Sequence, residues 1–143
     1  MQNDTVETLN GFLRGEISAV ETYRQAIAKL GDSAARDELQ ICQLSHEHRV
    51  QQLRDQVRTL GGTPAEGSGA WGGFVRLVEG GAKVFGEKAA ISALEQGEDH
   101  GLELYRKGID KLDVVARGFV ERSVIPAQEE THRTVSALKH SIH

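Results

Sequence analysis

The sequence predicts an all-α fold, a four-helix bundle built from two similar helical hairpins, and three observations lead there. Apolar residues recur at alternating steps of three and four along four long segments. Two of these segments repeat one another. The links inside each pair of segments are short, whereas the link between the pairs is long.

Asp4 with Glu7 three residues on reads as a capping box. It opens a helix over about 5–30 whose stripe is Leu9, Leu13, Glu16, Val20, Tyr23, Ile27 and Leu30. Gly31 is suited to the left-handed residue that ends it, and Asp32 or Ser33 to the cap of a second helix. That helix carries Leu39, Cys42, His46, Val50, Leu53, Val57 and Leu60, and Gly61-Gly62-Thr63-Pro64 stops it. Residues 61–86 are glycine-rich, but Trp71, Phe74, Val75 and Val78 keep helical spacing, so a short amphipathic helix lying on the bundle is expected in the crossover. The third helix, about 87–112, aligns Ile91, Leu94, Glu98, Leu102, Tyr105, Ile109 and Leu112. Asp113 is placed to cap the fourth, about 114–141, with Val120, Val124, Ala127, Thr131, Val135, Leu138 and Ile142 on its stripe. Pro126 lies inside that helix and should bend it, because it lacks the N–H owed to the carbonyl of Arg122 and crowds it.

The repeat is the most specific signal. Residues 15–30 read GEISAVETYRQAIAKL and residues 97–112 read GEDHGLELYRKGIDKL, identical at 8 of 16 positions, where chance gives about one. Glu16 matches Glu98, Tyr23 matches Tyr105 and Ile27 matches Ile109. A crossover of about 25 residues can run the length of a helix, which makes the second and third helices parallel. The first and third are then antiparallel, related by a pseudo-twofold axis at which only mid-helix residues meet.

Composition narrows the function. One domain spanning 1–143 is expected from the length, and at a formal charge of −4 with interspersed signs no basic block exists to bind nucleic acid or an anionic membrane. No stretch approaches a membrane span, and the polar start Met-Gln-Asn-Asp is unlike a signal peptide, so a cytoplasmic location is expected. With Cys42 alone, no intramolecular disulfide or cysteine-pair metal site can form, and any metal must be held by carboxylate and imidazole.

Glu16 and Glu98 lie on the apolar stripes of their helices, where a carboxylate is expensive to ionise unless a cation or hydrogen-bond donors compensate it. A divalent cation is one such partner, and His46 or an Arg at the bundle edge is another. His46 occupies the stripe of the second helix one turn after Gln43, and the fourth helix offers Glu129 and His132 one turn apart, toward the edge of its stripe. The surface alternative for that pair is a solvated helix face. A Glu from each of two helices with a Glu-x-x-His from each of the other two is the ligand set of di-iron carboxylate bundles.

In the Gly-Glu opening of both repeats, the His-Glu-His-Arg-Val of the second helix and the Glu-x-x-His of the fourth, the chain resembles the ferritin-like superfamily of ferritin, bacterioferritin and rubrerythrin, closest to its short bacterial members. The resemblance covers essentially the whole chain. It implies a metal centre of Glu16, His46, Glu98, Glu129 and His132 binding iron or another divalent ion, with oxidation of iron or reaction with oxygen or peroxide. The sequence departs from the pattern at Gln43, or at Ser45 if His48 is the counterpart, where a bridging glutamate would stand. The competing expectation is a metal-free bundle kept for oligomerisation or partner binding. A homo-oligomer is expected on either reading.

Overall fold

The computed structural model describes residues 2–30, 34–69 and 86–141. Its order is α1 (Gln2–Lys29), α2 (Ala34–Thr59), α3 (Glu87–Gly108), a 3-10 turn (Ile109–Lys111), and a fourth helix made of α4 (Val114–Phe119), a π-helical turn (Val120–Val124) and α5 (Ile125–Ser141). No strand occurs among the described residues, and the all-α four-helix bundle expected from the sequence is found. None of the described helices is long and apolar enough to cross a membrane. The expected caps at Gly31, Asp32 and Ser33, and the crossover helix around Trp71, Phe74, Val75 and Val78, lie outside the described residues.

The helix ends follow local chemistry. Asp4 does not start α1 but lies in its first turn, where a carboxylate faces the positive end of the helix dipole. After α2, Gly61 takes φ +81°. Its N–H bonds to the Arg58 carbonyl while the Gly62 N–H bonds to that of Val57, the paired bonds of a Schellman motif. Asn10 then clamps the outgoing loop to α1, donating to the Thr63 carbonyl at 3.0 Å and accepting from the Ala65 N–H at 2.8 Å. Asp113 caps α4 by accepting from the Ala116 N–H at 2.8 Å, and its own N–H donates to Thr5 Oγ1, which ties the second hairpin to α1.

Pro126 acts one turn upstream of itself. The turn before it widens to π geometry, with the Ile125 N–H bonded to the Val120 carbonyl rather than to that of Glu121. A wider turn keeps residues spaced by four on one face through successive turns, and Ala116, Val120, Val124 and Gln128 are all buried. Gln128 therefore takes the inward place expected for Ala127, followed by Thr131, Val135 and Leu138.

Contacts between repeats fix the directions. Phe12 packs edge-on against Tyr105 and Thr5 meets Asp113, so α1 and α3 are antiparallel, while Glu16 and Glu98 both reach His46 of α2. The apolar core is in two halves. Tyr23, Ile27, Leu39, Ile91, Leu94 and Val135 fill one end, and Leu9, Leu13, Leu53, Val57, Tyr105 and Val120 fill the other. Between them lies a buried polar layer of Glu16, His46, Arg49, Glu98, Gln128 and Thr131.

Candidate functional site

The two repeats build this layer reciprocally. In each, a tyrosine follows the glutamate by seven residues, two turns along the same face, and bonds not its own glutamate but the other one: the Tyr23 hydroxyl donates to Glu98 and the Tyr105 hydroxyl to Glu16. All four side chains are at least 97 % buried. The expected pseudo-twofold relation of α1 and α3 is thus realised in hydrogen bonds.

His46 bridges the two carboxylates. Its Nδ1 lies 2.5 Å from Glu16 Oε1 and its Nε2 lies 2.7 Å from Glu98 Oε2. Both ring nitrogens face ionised oxygens, so both must carry hydrogen for the contacts to be bonds, and the ring is then an imidazolium. One turn on, Arg49 is 0 % exposed. Its Nη1 faces Glu16 Oε2 at 3.4 Å and donates to Gln128 Oε1; Nη2 donates to Thr131 Oγ1 and Ser45 Oγ, each at 3.1 Å. Thr131 in turn donates to Glu98 Oε1 at 2.7 Å, and Gln128 Nε2 donates to the Glu98 carbonyl at 2.8 Å. Two carboxylates face one imidazolium and one guanidinium, so the layer is neutral. Among the described residues no buried side-chain nitrogen or oxygen lacks a partner.

Acid–base behaviour follows from this balance. Burial alone would push the Glu16 carboxyl up, but Arg49, His46 and the Tyr105 hydroxyl outweigh it and bring it down to about 2. Glu98 is also lowered, burial being overcome by His46 and by bonds from Tyr23 and Thr131. For His46 burial disfavours the charge, yet the two glutamates raise its pKa above the usual value. Burial next to these carboxylates pushes both tyrosines well above their ordinary range, and burial with Glu98 nearby pushes the Cys42 thiol up to about 12. A cavity of about 30 Å³, enough for a water-sized guest, adjoins the two glutamates on the side lined by Gly15, Ala19, Gly97 and Gly101.

Of the five residues expected as metal ligands, Glu16, His46 and Glu98 come together and Glu129 and His132 do not join them. Glu129 is half-exposed and meets Arg106 at 3.6 Å, and His132 pairs with Asp99 on the outer flank of α3. Each residue turns the helix by about 100°, and the inward pair, at the same spacing of three, is Gln128 and Thr131, one position earlier. Gln43 is also turned away, donating to Glu47 Oε1 of its own helix at 3.0 Å. Glu95 bonds Ser136 and Lys139 outside the centre. Among the described residues no group of three or more His, Cys, Asp or Glu is arranged to hold a metal ion. The geometry explains this: the imidazole lies between the carboxylates and spends both nitrogens on them, so the three do not aim at one shared point.

Arg49 and Gln128 escaped the sequence reading. The available signal was spacing: Arg49 follows His46 by three and Gln128 precedes Thr131 by three, each pair on one helix face.

Fold and site together define a pseudo-symmetric four-helix bundle with a self-neutralised polar layer at mid-height. The chain belongs to the family described as Domain of unknown function (DUF2383), whose model matches residues 4–111. That span holds both glutamates, both tyrosines, His46 and Arg49, while Gln128 and Thr131 lie beyond it. No curated protein and no solved structure matches the chain.

Proposed function

We propose that the chain is a ferritin-like four-helix bundle in which the protein's own cations stand where di-iron relatives hold metal ions, and that it works in the cytoplasm as a metal-independent module for assembly. The observation that carries the metal independence is Arg49, fully buried against Glu16, Gln128 and Thr131. In di-iron bundles each of two helices adds a Glu-x-x-His to the glutamates of the other two. Here the inward pairs at that spacing are His46 with Arg49 and Gln128 with Thr131, which add no carboxylate and one guanidinium. Two dications would meet two anions and a fixed positive charge. This donor set does not fit a di-iron centre.

A second reading is favoured by the convergence of Glu16, His46 and Glu98: one divalent ion, iron included, held by these three once His46 gives up a proton, with oxygen or peroxide as the reactant. Arg49 opposes it, since the ion would enter beside a guanidinium that already neutralises Glu16. The experiment that separates the two is metal analysis of protein purified without chelator, followed by anaerobic ferrous titration of native and Arg49→Met chains. The first reading expects no stoichiometric uptake by native protein. One tightly held ion per native chain, lost in His46→Gln, would establish the second reading in its place.

A further inference from the structure

The outer face of α2 carries a stripe that the bundle does not use. Asp37, Ile41, Leu44, His48 and Gln51 follow one another at steps of four, three, four and three, and all are exposed. This is the spacing of a helix–helix seam, here pointing outward. Ile41 and Leu44 at its middle are 68 % and 63 % exposed, in a chain whose other large apolar residues, Val114 and Val115 apart, are buried or partly buried where described. Beside the stripe runs a groove between α1 and α2, with Ile17 and Val20 among its lining and Leu44 at its side.

We infer that this face is a self-association surface, on which a second copy of the chain packs its α2 antiparallel about a twofold axis passing between positions 42 and 43. The register follows from complementarity. With the axis there, Ile41 meets Leu44 of the second copy and Asp37 meets its His48, and the symmetry makes each contact twice. Shifting the axis by half a heptad, to position 46, would set Asp37 against Asp55 and Leu44 against His48, placing like charges together and an apolar residue on a polar one. In the favoured register the helices overlap over 34–51, about 27 Å at 1.5 Å per residue. A contact of this length, with the groove, is at the small end of stable interfaces.

The inference deepens the assembly reading by naming a second copy as the partner, and it stands apart from the question of metal. Sedimentation equilibrium should show native chain moving from monomer to dimer with concentration. Ile41→Glu and Leu44→Glu should each weaken the dimer at least 10-fold while helicity by circular dichroism is unchanged, since both side chains point to solvent in the monomer. Asp37→Lys and His48→Glu should each weaken it, and the double variant should recover the native association, because the swap restores the pairing only in this register. A native chain that stays monomeric at hundreds of micromolar would overturn the inference. So would a dimer indifferent to Ile41→Glu, or a double variant no better than the singles. Stoichiometric metal in a chain that still dimerises through α2 would defeat the metal-independent reading and leave this surface standing.

Discussion

At the scale of single residues, the bundle centre behaves as one electrostatic unit. Removing one member of a buried ion pair leaves the other charge uncompensated, which typically costs about 3–5 kcal/mol. Arg49→Met is therefore expected to lower stability by about that amount in urea unfolding, far more than loss of the exposed Arg58–Asp55 pair. Tyr23→Phe and Tyr105→Phe each delete a donor to a buried carboxylate, and about 1.5–3 kcal/mol is expected for each. Pseudo-symmetry requires the two losses to be similar, and urea midpoints of the two variants check it. The pH dependence has two limbs. Glu16 and Glu98 have depressed pKa values when folded, so their contribution is present above the unfolded value of about 4.3 and is lost as pH falls through the folded values, about 2 for Glu16. His46 has a raised value, so its contribution is full below about 6.5 and is lost as pH rises through the folded pKa. Stability should peak between about pH 4.3 and 6.5, and His46→Gln should flatten the alkaline limb. Glu16, Glu98 and His46 were legible because polar residues on an otherwise apolar stripe announce themselves. Arg49 was not, since an arginine beside the buried Val50 reads as solvated unless its anionic partners are already placed.

At the scale of elements, the fourth helix buries Val120, Val124, Thr131, Val135 and Leu138 as its spacing predicts, and departs from the expected stripe at one place, where Gln128 replaces Ala127. Pro126 was seen to break the hydrogen-bond ladder, yet how the chain absorbs a missing donor, by bending or by widening a turn, depends on packing that periodicity does not contain. The π turn resolves it by turning Gln128 inward and leaving Glu129 and His132 on the flank. Two glycines inside helices test how closely that phase is fitted. A Cβ added at Gly101 would lie 2.7 Å from Gln128 Nε2, which donates to Glu98 and whose amide oxygen accepts from Arg49. A Cβ at Gly11 meets nothing within 4 Å. Replacing a mid-helix glycine by alanine ordinarily stabilises by about 0.8–1 kcal/mol. Gly11→Ala should show that gain in thermal unfolding, whereas Gly101→Ala should destabilise in spite of it, by displacing Gln128.

At the scale of the whole molecule, the bundle is two apolar halves joined across a neutral polar layer. Its topology was legible because repeat, loop lengths and stripe phase agree: each hairpin is closed by a short link, and the identical positions of α1 and α3 had to meet at mid-height. The chemistry of the layer was only half legible, since two of its four charged groups come from the repeated segments and the other two, His46 and Arg49, come from a helix without a matching copy. The central claim is that these two cations, and no metal, neutralise Glu16 and Glu98. Nitrogen-15 NMR of the His46 ring at pH 6 tests it most directly. The account predicts an imidazolium with both ring protons present and slow to exchange; a neutral ring with one bare nitrogen at that pH would contradict it.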